Sequence, residues 1–245
     1  MFWLLAMFAC GLDTLGYDSD TDTASGSVER GDPVDFVVYP TVQTTQILIY
    51  HGHGGADLVP RSQLRAAWEA EGWTIRQASV LPPDLKPFRM IVLVETGANS
   101  DDAFLEEEVQ AFTKALERGT RLVVATNAPS CTSDNVKNLL SEWEVPMVFD
   151  QPLTAEPETT SFVDIAPNAQ QTVDVSAVSF ERPCTLTAGG TWLVSSDDPL
   201  PLAASFRPGN AGDVVLIGDT AFLKDGAIDL DNNLIFAQNL AQVVP

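Results

Sequence analysis

Two histidines stand close together in a glycine-rich stretch and are the first candidates for a chemical role. His51 and His53 alternate with glycines at positions 52, 54 and 55, and Asp57 follows four residues after His53. Imidazole and carboxylate groups suit zinc or a similar cation, so His51 and His53 are candidate metal ligands. Two other interpretations stay open: a hydrogen-bonded loop that lines a ligand crevice, and a glycine turn with only a structural role.

Two further polar residues follow apolar segments later in the chain. Asn127 comes after the apolar segment 121–126, and Asp219 comes after the segment 213–217. In an open α/β sheet, ligands bind beyond the carboxyl ends of the strands. An alternative role for Asp219 is to cap the turn that follows it. We therefore expect one edge of a sheet to carry these candidate ligand-binding residues: His51, His53, Asp57, Asn127 and Asp219.

The cysteines allow two exclusive interpretations. A free Cys131, with His51 or His53 and Asp219, would make a Cys-His-Asp arrangement for nucleophilic catalysis. The alternative is a disulfide between Cys131 and Cys184, which an oxidising compartment favours. We predict the disulfide, and its formation would remove the thiol that the catalytic arrangement needs.

The charge of the chain excludes several classes of partner. Its 34 acidic and 13 basic residues give a net charge of −21, which opposes binding to nucleic acid or anionic lipid through a basic patch. The glycines after His51 lack the spacing of a dinucleotide fingerprint or a P-loop, and no lysine follows them. We therefore predict no nucleic-acid partner and no cofactor.

The first ten residues resemble a bacterial lipoprotein signal. An apolar run ends in a small residue followed by Cys10, and an acidic, Ser- and Thr-rich stretch comes next. The resemblance implies that residues 1–9 are a signal peptide and that Cys10 is lipidated, which would anchor the protein in a membrane of the cell envelope. Gly11, rather than Asp, at the following position favours the outer membrane, facing the periplasm or the surface. A protein partner in the envelope is expected with this location.

Residues 10–33 are predicted to be a disordered acidic tether, because they contain too few apolar residues to offset the entropy of ordering. Asp18, Asp20, Asp22 and Glu29 match the spacing of a calcium loop. However, Thr23 stands where such a loop needs glycine, so a solvated linker is the preferred interpretation.

The pattern from residue 34 onwards predicts one α/β domain over 34–245. Apolar runs alternate with helical segments of ten or more residues, which is typical of a mainly parallel sheet with right-handed crossovers. Strands are predicted at 46–50, 73–78, 90–95, 121–126 and 213–217. Helices are predicted at 62–72, from Asp101 or Asp102 to 118, at 134–142, and at 232–243.

Residues 151–208 interrupt this alternation and are predicted to form a β-rich insertion packed on the sheet. They are rich in Pro, Thr and Ser, and contain short alternating stretches such as 172–176 and 191–194. After the insertion, Asp231 or Asn232 is expected to cap the last helix.

The order of these pieces resembles the class I glutamine amidotransferase-like superfamily. The most specific part is the segment 212–222, a glycine-led strand that ends in Gly218-Asp219-Thr220, followed by Asn232 and Asn233 at the start of a closing helix. The segment 104–124, a helix and then a glycine-led strand, fits as well. The resemblance implies a flavodoxin-like three-layer α/β sandwich, and it is nearest to non-catalytic relatives of the trehalose-utilisation and gliding-motility auxiliary type.

The chain departs from active members of that superfamily where their chemistry takes place. Those enzymes carry a nucleophilic Cys in a glycine-flanked turn directly after a strand, whereas the corresponding stretch 125–129 reads Ala-Thr-Asn-Ala-Pro. They also need a later histidine as base, and no histidine follows His53. We therefore expect a non-enzymatic binding or assembly module. The alternative is a hydrolase or small-ligand enzyme that uses His51, His53 and Asp219.

Overall fold

A computed structural model describes residues 45–55, 61–95, 103–128, 130–153, 159–209 and 211–242. The four helices of these residues are α1 (Ser62–Ala70), α2 (Glu106–Glu117), α3 (Asp134–Glu142) and α4 (Asn233–Ala241). The strands are β1 (Gln46–Tyr50), β2 (Thr74–Ala78), β3 (Phe88–Val94), β4 (Arg121–Ala125), β5 (Phe149–Pro152), β6 (Thr159–Phe162), β7 (Asp164–Ile165), β8 (Val178–Glu181), β9 (Cys184–Leu186), β10 (Thr191–Ser195), β11 (Pro201–Phe206) and β12 (Val214–Ile217).

The central sheet is mainly parallel, as the alternation of strands and helices predicts. Its order is β2-β1-β3-β4-β12-β11-β10-β7, and the first five strands are parallel to one another. That part of the order is the flavodoxin-like one, in which strand order reverses between β1 and β3. The last three strands extend the sheet in antiparallel fashion.

Two apolar layers cover the two faces of the sheet. Successive residues of β1 alternate between them, so that Ile47 and Ile49 join α1 and α4 in one cluster while Leu48 and Tyr50 join α2 and α3 in the other. Burial on both faces explains why the parallel strands are continuous apolar runs rather than alternating ones. The three-layer α/β sandwich is confirmed.

The insertion is β-rich, as predicted. Part of it packs on the central sheet, and part of it extends that sheet. The pair β6–β8 adds Phe162 and Phe180 to the α1/α4 face, and the pair β5–β9 adds Phe149 and Leu186 to the opposite face. In contrast, β7, β10 and β11 lengthen the sheet itself. The alternating stretch 172–176 is not a strand. Residues 170–172 form a 3₁₀ turn, and residues 173–176 continue as turn and irregular structure.

A disulfide ties the insertion to the end of β4. Cys131, in a 3₁₀ turn at Ser130–Thr132, is bonded to Cys184 at the start of β9, with the two Cα atoms 5.4 Å apart. Beside it, the N–H of Cys184 donates to the carbonyl of Gly218 at 2.6 Å. A Cβ at residue 218 would lie 2.0 Å from the carbonyl oxygen of Cys184, so this close approach requires glycine.

Helix α2 starts later than the sequence suggests. It begins at Glu106, with Leu105 as its N-cap residue, and the N–H of Leu105 donates to Oε2 of Glu108 at 3.0 Å. Leu105 is 56% exposed, so it does not belong to the apolar stripe of the helix. The predicted caps Asp101 and Asp102 lie outside the described residues.

Asn232 is at the N-cap position of α4, one of the two residues predicted there, but no side-chain hydrogen bond caps this helix. Oδ1 of Asn232 instead accepts hydrogen bonds from the backbone of Ser176 and Ala177. Asp231 accepts a hydrogen bond from the Ser179 hydroxyl at 2.5 Å. Both side chains therefore hold the segment around β8 against α4, which a reading of the helix alone does not reveal.

A buried arginine links the amino ends of β4 and β12 to the end of α4. Arg121 is fully buried, and its Nη2 lies 2.9 Å from Oδ2 of Asp213 while its Nη1 donates to the carbonyl of Leu240 at 2.6 Å. Asp213 also pairs with the exposed Arg207. Burial raises the pKa of Asp213, but its bonds to Arg207 and Arg121 outweigh that effect and hold the pKa below its ordinary value.

None of the helices in the described ranges is long and apolar enough to cross a bilayer.

Candidate functional site at the carboxyl ends of the parallel strands

The carboxyl ends of β1, β3, β4 and β12 lie side by side at one edge of the sheet. These strands are followed by His51, Glu95, Thr126 and Gly218, so the predicted edge of the sheet is present in the structure. Strands stand about 4.8 Å apart, and β12 is three positions from β1, which separates their ends by roughly 14 Å. The strand order therefore does not by itself bring residues that follow β1 into contact with residues that follow β12.

His53 is held on the α2/α3 side of the edge. Its backbone is left-handed (φ 55°), its ring packs 4.5 Å from the ring of Phe104, and its Nε2 lies 2.8 Å from Oε2 of Glu108. The hydroxyl of Tyr50 donates to the other oxygen of Glu108 at 3.0 Å. His53 therefore belongs to a packed polar group at the start of α2.

His51 lies at the end of β1 and is partly buried, and its N–H donates to the carbonyl of Ala78 at 3.1 Å, which continues the pairing with β2. Asp57 lies outside the described residues. Within the described ranges, no group of three or more His, Cys, Asp or Glu side chains is arranged to hold a metal ion. The structure thus gives the metal candidates His51 and His53 no third described ligand.

Asp219 is a buried capping residue. Its two oxygens accept hydrogen bonds from the N–H groups of Ala221 (2.8 Å) and Phe222 (3.2 Å) in the next 3₁₀ turn, and from that of Glu181 (3.0 Å). Burial raises the pKa of Asp219 to about 6, although the three N–H groups oppose this shift. The described contacts fit the structural alternative for Asp219 and do not join it to His51 or His53.

Asn127 belongs to a group that the structure builds from the ends of β3, β4 and β12. Its Nδ2 donates to Oε1 of Glu95 at 3.2 Å, and the hydroxyl of Thr220 donates to the same oxygen. Glu95 has a left-handed backbone (φ 50°), which is uncommon for a residue other than glycine. We call Glu95, Asn127 and Thr220 the strand-end cluster.

Two further buried residues have polar atoms without a hydrogen-bond partner among the described residues. They are Arg61, directly before α1 and 6% exposed, through Nε and Nη1, and Thr126, directly after β4, through its hydroxyl. Burial lowers the pKa of the Arg61 guanidinium, while the negative charges of Glu95 and then Asp225 raise it.

The sequence prediction placed Asn127 at this edge but did not single out Glu95 or Arg61, and a ligand-binding role of Asn127 stays a prediction. Glu95 did carry a signal, since it is a lone carboxylate at the end of a five-residue apolar run. Arg61 carried none, because an arginine before a helix is ordinary and its burial depends on how α1 packs. The alternative catalytic use of Cys131 fails because its sulfur is bonded to Cys184.

Comparisons with known proteins give structural matches only. No protein-family model matches the chain, and no curated protein matches it. Among solved structures, the mmIFT52 N-terminal domain matches with a TM-score of 0.61 and 16% identity, over 78% of this chain and 93% of that one. A glutamine amidotransferase from Thermotoga maritima matches with a TM-score of 0.52 and 11% identity, over 74% and 77%.

A ThuA-like protein from Bacteroides uniformis matches with a TM-score of 0.50 and 16% identity, over 85% of this chain and 94% of that one. The fold is glutamine amidotransferase-like. At these identities the likeness concerns the fold alone, and the departures of the chain decide its chemistry.

The amidotransferase-like strand end after β4 is not built here as a nucleophile turn. Thr126 and Asn127 carry no thiol, and neither they nor Ala128 have a left-handed backbone. The left-handed non-glycine residues described at this edge are His53, after β1, and Glu95, after β3. The carboxylate of Glu95 is held by two side-chain donors.

Proposed function

We propose that this protein is a non-enzymatic binding module of the cell envelope, anchored to a membrane by lipid on Cys10. The observation that carries the proposal is the strand end after β4. There the chain has Thr126 and Asn127 in place of a thiol, and the next cysteine along, Cys131, is in a disulfide. A disulfide is also what an exported location favours.

The ThuA-like and amidotransferase-like neighbours are compatible with such a module, since one fold hosts many unrelated functions. The strand-end cluster supports binding rather than thiol chemistry, because it offers fixed hydrogen-bonding groups and no free sulfur among the described residues. The acidic character of the whole chain restricts partners to neutral, zwitterionic or basic ones.

The anchoring is tested by peptide mass mapping, without reduction, of the full chain produced with its own N-terminus in a Gram-negative host. We expect an acylated Cys10 as the first residue and a linked peptide pair containing Cys131 and Cys184. An intact Met1 together with two free thiols would overturn both the location and the loss of the nucleophile. A Cys10→Ala variant is the matched control, and it should stay unacylated with the disulfide intact.

The absence of thiol-dependent glutaminase activity is tested by measuring the release of ammonia from glutamine by the purified chain. We expect the same rate with the wild type and with a Cys131→Ser, Cys184→Ser double variant, and no rate above that of buffer. Ammonia release that is lost in the double variant would return the chain to the thiol amidotransferases.

A further inference from the structure

A groove lies between α2 and α3 on the surface of the domain. It is a cavity of about 660 Å³ whose lining follows α2 from Glu106 to Glu117 and α3 from Asn135 to Glu142. At 1.5 Å per residue, these stretches rise by about 16 Å and about 10 Å. The cavity is therefore elongated and has two helices as its walls, and we call it the α2/α3 groove.

The floor of the α2/α3 groove is apolar. It consists of Phe104 and Val109, which are half-buried, and Leu139, which is buried. Phe104 is fixed in place, because its ring packs against the rings of His53 and Phe112. A partner with an apolar face would remove this floor from water, which is the main driving force for association.

The walls of the groove are already held in position. The indole Nε1 of Trp143, at the end of α3, donates to the hydroxyl of Thr113 on α2 at 3.2 Å. The ring of the same tryptophan lies edge-on to Phe112 of α2, with the ring centres 6.4 Å apart. Because both helices are fixed in this way, little ordering of the groove is needed when a ligand enters.

The rim of the groove carries a net negative charge. It has three exposed carboxylates, on Glu106, Glu117 and Glu142, and Lys114 is the one basic side chain among the described lining residues. None of the three carboxylates takes part in an ion pair among the described residues. Their charge is therefore not neutralised within the described part of the chain, and it favours a basic ligand.

The groove continues past the ends of both helices. A second cavity of about 370 Å³ shares Thr113, Glu117 and Glu142 with the first, and adds Glu144 and the ring of Phe206 to the lining. Both helices end beside it, and the free carbonyl groups at a helix C-terminus carry a partial negative charge. This end of the groove therefore combines apolar surface with further negative charge.

We propose that the α2/α3 groove binds a basic amphipathic helix of a partner protein, with apolar side chains on the floor and Lys or Arg side chains against the rim. This inference rests on the proposed function, a binding module, and names the class of its partner. A helix fits better than an extended segment, because the backbone groups of α2 and α3 are bonded within those helices and offer no edge to a strand. A helical ligand satisfies its own backbone.

Charge opposes two other occupants of the groove. A second copy of this chain would bring a further net charge of −21 to an acidic rim. The segment 10–33 of the same chain has six acidic residues and one basic residue, so the rim repels it as well. A basic helix from another protein is the occupant that charge and apolar surface favour together.

The test is fluorescence anisotropy of labelled peptides titrated with the full chain. The probe is a peptide of about fifteen residues in which leucines recur every three or four positions and lysines fill the other positions. One control peptide has the same composition in scrambled order and lacks an apolar face, and another has glutamate in place of lysine. We expect the probe to bind at least about tenfold more tightly than either control. Equally tight binding of the scrambled peptide, or no binding of the probe, would overturn the proposal.

The helical form of the ligand is tested by a probe with proline at its centre, which breaks a helix but keeps the charge. We expect this peptide to bind about tenfold more weakly than the original probe. Equal affinity of the two peptides would mean that the groove takes an extended segment, and the proposed helix would be wrong.

A pair of charge variants assigns the binding to the rim of the groove. The double variant Glu117→Lys, Glu142→Lys should weaken binding of the probe about tenfold or more, because two attractions become repulsions. The matched control is Asp197→Lys, Asp198→Lys, which changes the net charge equally in the exposed loop between β10 and β11. Equal affinities of the two double variants would show that only the overall charge attracts the peptide, and would overturn the assignment.

The floor is tested by a change that keeps the charge of the chain. Val109→Asn removes apolar surface from the floor and should weaken binding of the probe about fivefold or more. Val163→Asn is its control, since Val163 is 69% exposed and lies between β6 and β7. If the two variants bind the probe equally well, the floor of the groove is not the binding surface and the proposal fails.

The outcomes separate this inference from the proposed function. A chain with acylated Cys10 and no ammonia release, but without binding of the probe, keeps its proposed function and loses this partner class. A chain that turns over glutamine through Cys131 loses the proposed function whether or not the probe binds.

Discussion

At the scale of single residues, two carboxylates that follow strands differ in the partners they have. Both oxygens of Asp219 accept hydrogen bonds from backbone N–H groups, whereas Oε1 of Glu95 accepts from the side chains of Asn127 and Thr220. In the sequence, Asp219 and Glu95 give the same signal, because each is a carboxylate that follows an apolar strand segment. Only the contacts separate them, and these depend on the three-dimensional arrangement.

Asp219 should make the stability of the protein depend on pH. Because burial raises its pKa to about 6 in the folded state, above the ordinary 3.8, folding takes up a proton between these values. Stability should therefore rise as pH falls from 7 to 5, by about 1 kcal/mol from this group. Urea unfolding of wild type and Asp219→Asn at both pH values measures it, since the variant lacks this contribution.

The control for this measurement is Asp225→Asn. Hydrogen bonds from Ser62 and Gln63 lower the pKa of Asp225, so its titration lies below the range tested. The difference between wild type and Asp225→Asn should be the same at pH 5 and pH 7. Equal pH dependence in wild type and Asp219→Asn would show that Asp219 is ionised throughout.

Arg121 and Arg207 share the carboxylate of Asp213 but should contribute very differently to stability. Arg121 is fully buried and also donates to the carbonyls at the end of α4, whereas the side chain of Arg207 is 55% exposed. Arg121→Ala leaves these acceptors buried and should cost about 3–5 kcal/mol. Arg207→Ala should cost less than about 1 kcal/mol in the same urea titration. Equal losses would contradict this assignment.

At the scale of elements, the pattern of the sequence was sufficient for the parallel half of the sheet. The apolar runs of β1, β3, β4 and β12 are short and rich in β-branched residues, which favours buried strands, and the predicted bounds agree within one or two residues. Short polar strands such as β6 and β7 lack that signal. Whether they pair within the central sheet or outside it depends on partner residues that are 16 to 31 positions away in the chain.

The turn after β12 should tolerate no side chain at Gly218. An added Cβ would lie 2.0 Å from the carbonyl oxygen of Cys184, and both are backbone-constrained, so Gly218→Ala should cost about 1–3 kcal/mol or more. Gly226→Ala is the matched control in the same region, since its Cβ would meet no atom within 4 Å. Thermal unfolding of both variants tests this, and equal midpoints would contradict the close approach of β9.

The candidate site was only partly predictable because it is defined by strand order. The expectation that His51, His53 and Asp219 meet required β1 and β12 to be neighbours, and two strands stand between them. Asn127 was placed correctly at the edge. Its partner Glu95 is on β3, the neighbour of β4, and a sequence does not state which strands are neighbours.

At the scale of the whole molecule, charge dominates. A net charge of −21 on one chain makes the folded state repel itself, and salt should reduce this repulsion. We expect the thermal midpoint to rise when sodium chloride is increased from 0.02 M to 0.5 M. A midpoint that falls with salt would mean that the few ion pairs outweigh the repulsion. The same titration with sodium perchlorate as a control separates charge screening from salting-out.

The disulfide also has a consequence for how this chain can change over generations. A cysteine introduced at Thr126, where amidotransferases need one, would stand five residues before Cys131 and could attack its bond by thiol exchange. A free thiol at this position therefore requires two changes, the gain of one cysteine and the loss of the disulfide. Thiol exchange after the first change alone would give mispaired cysteines, so the disulfide acts as a barrier to the acquisition of a thiol nucleophile there.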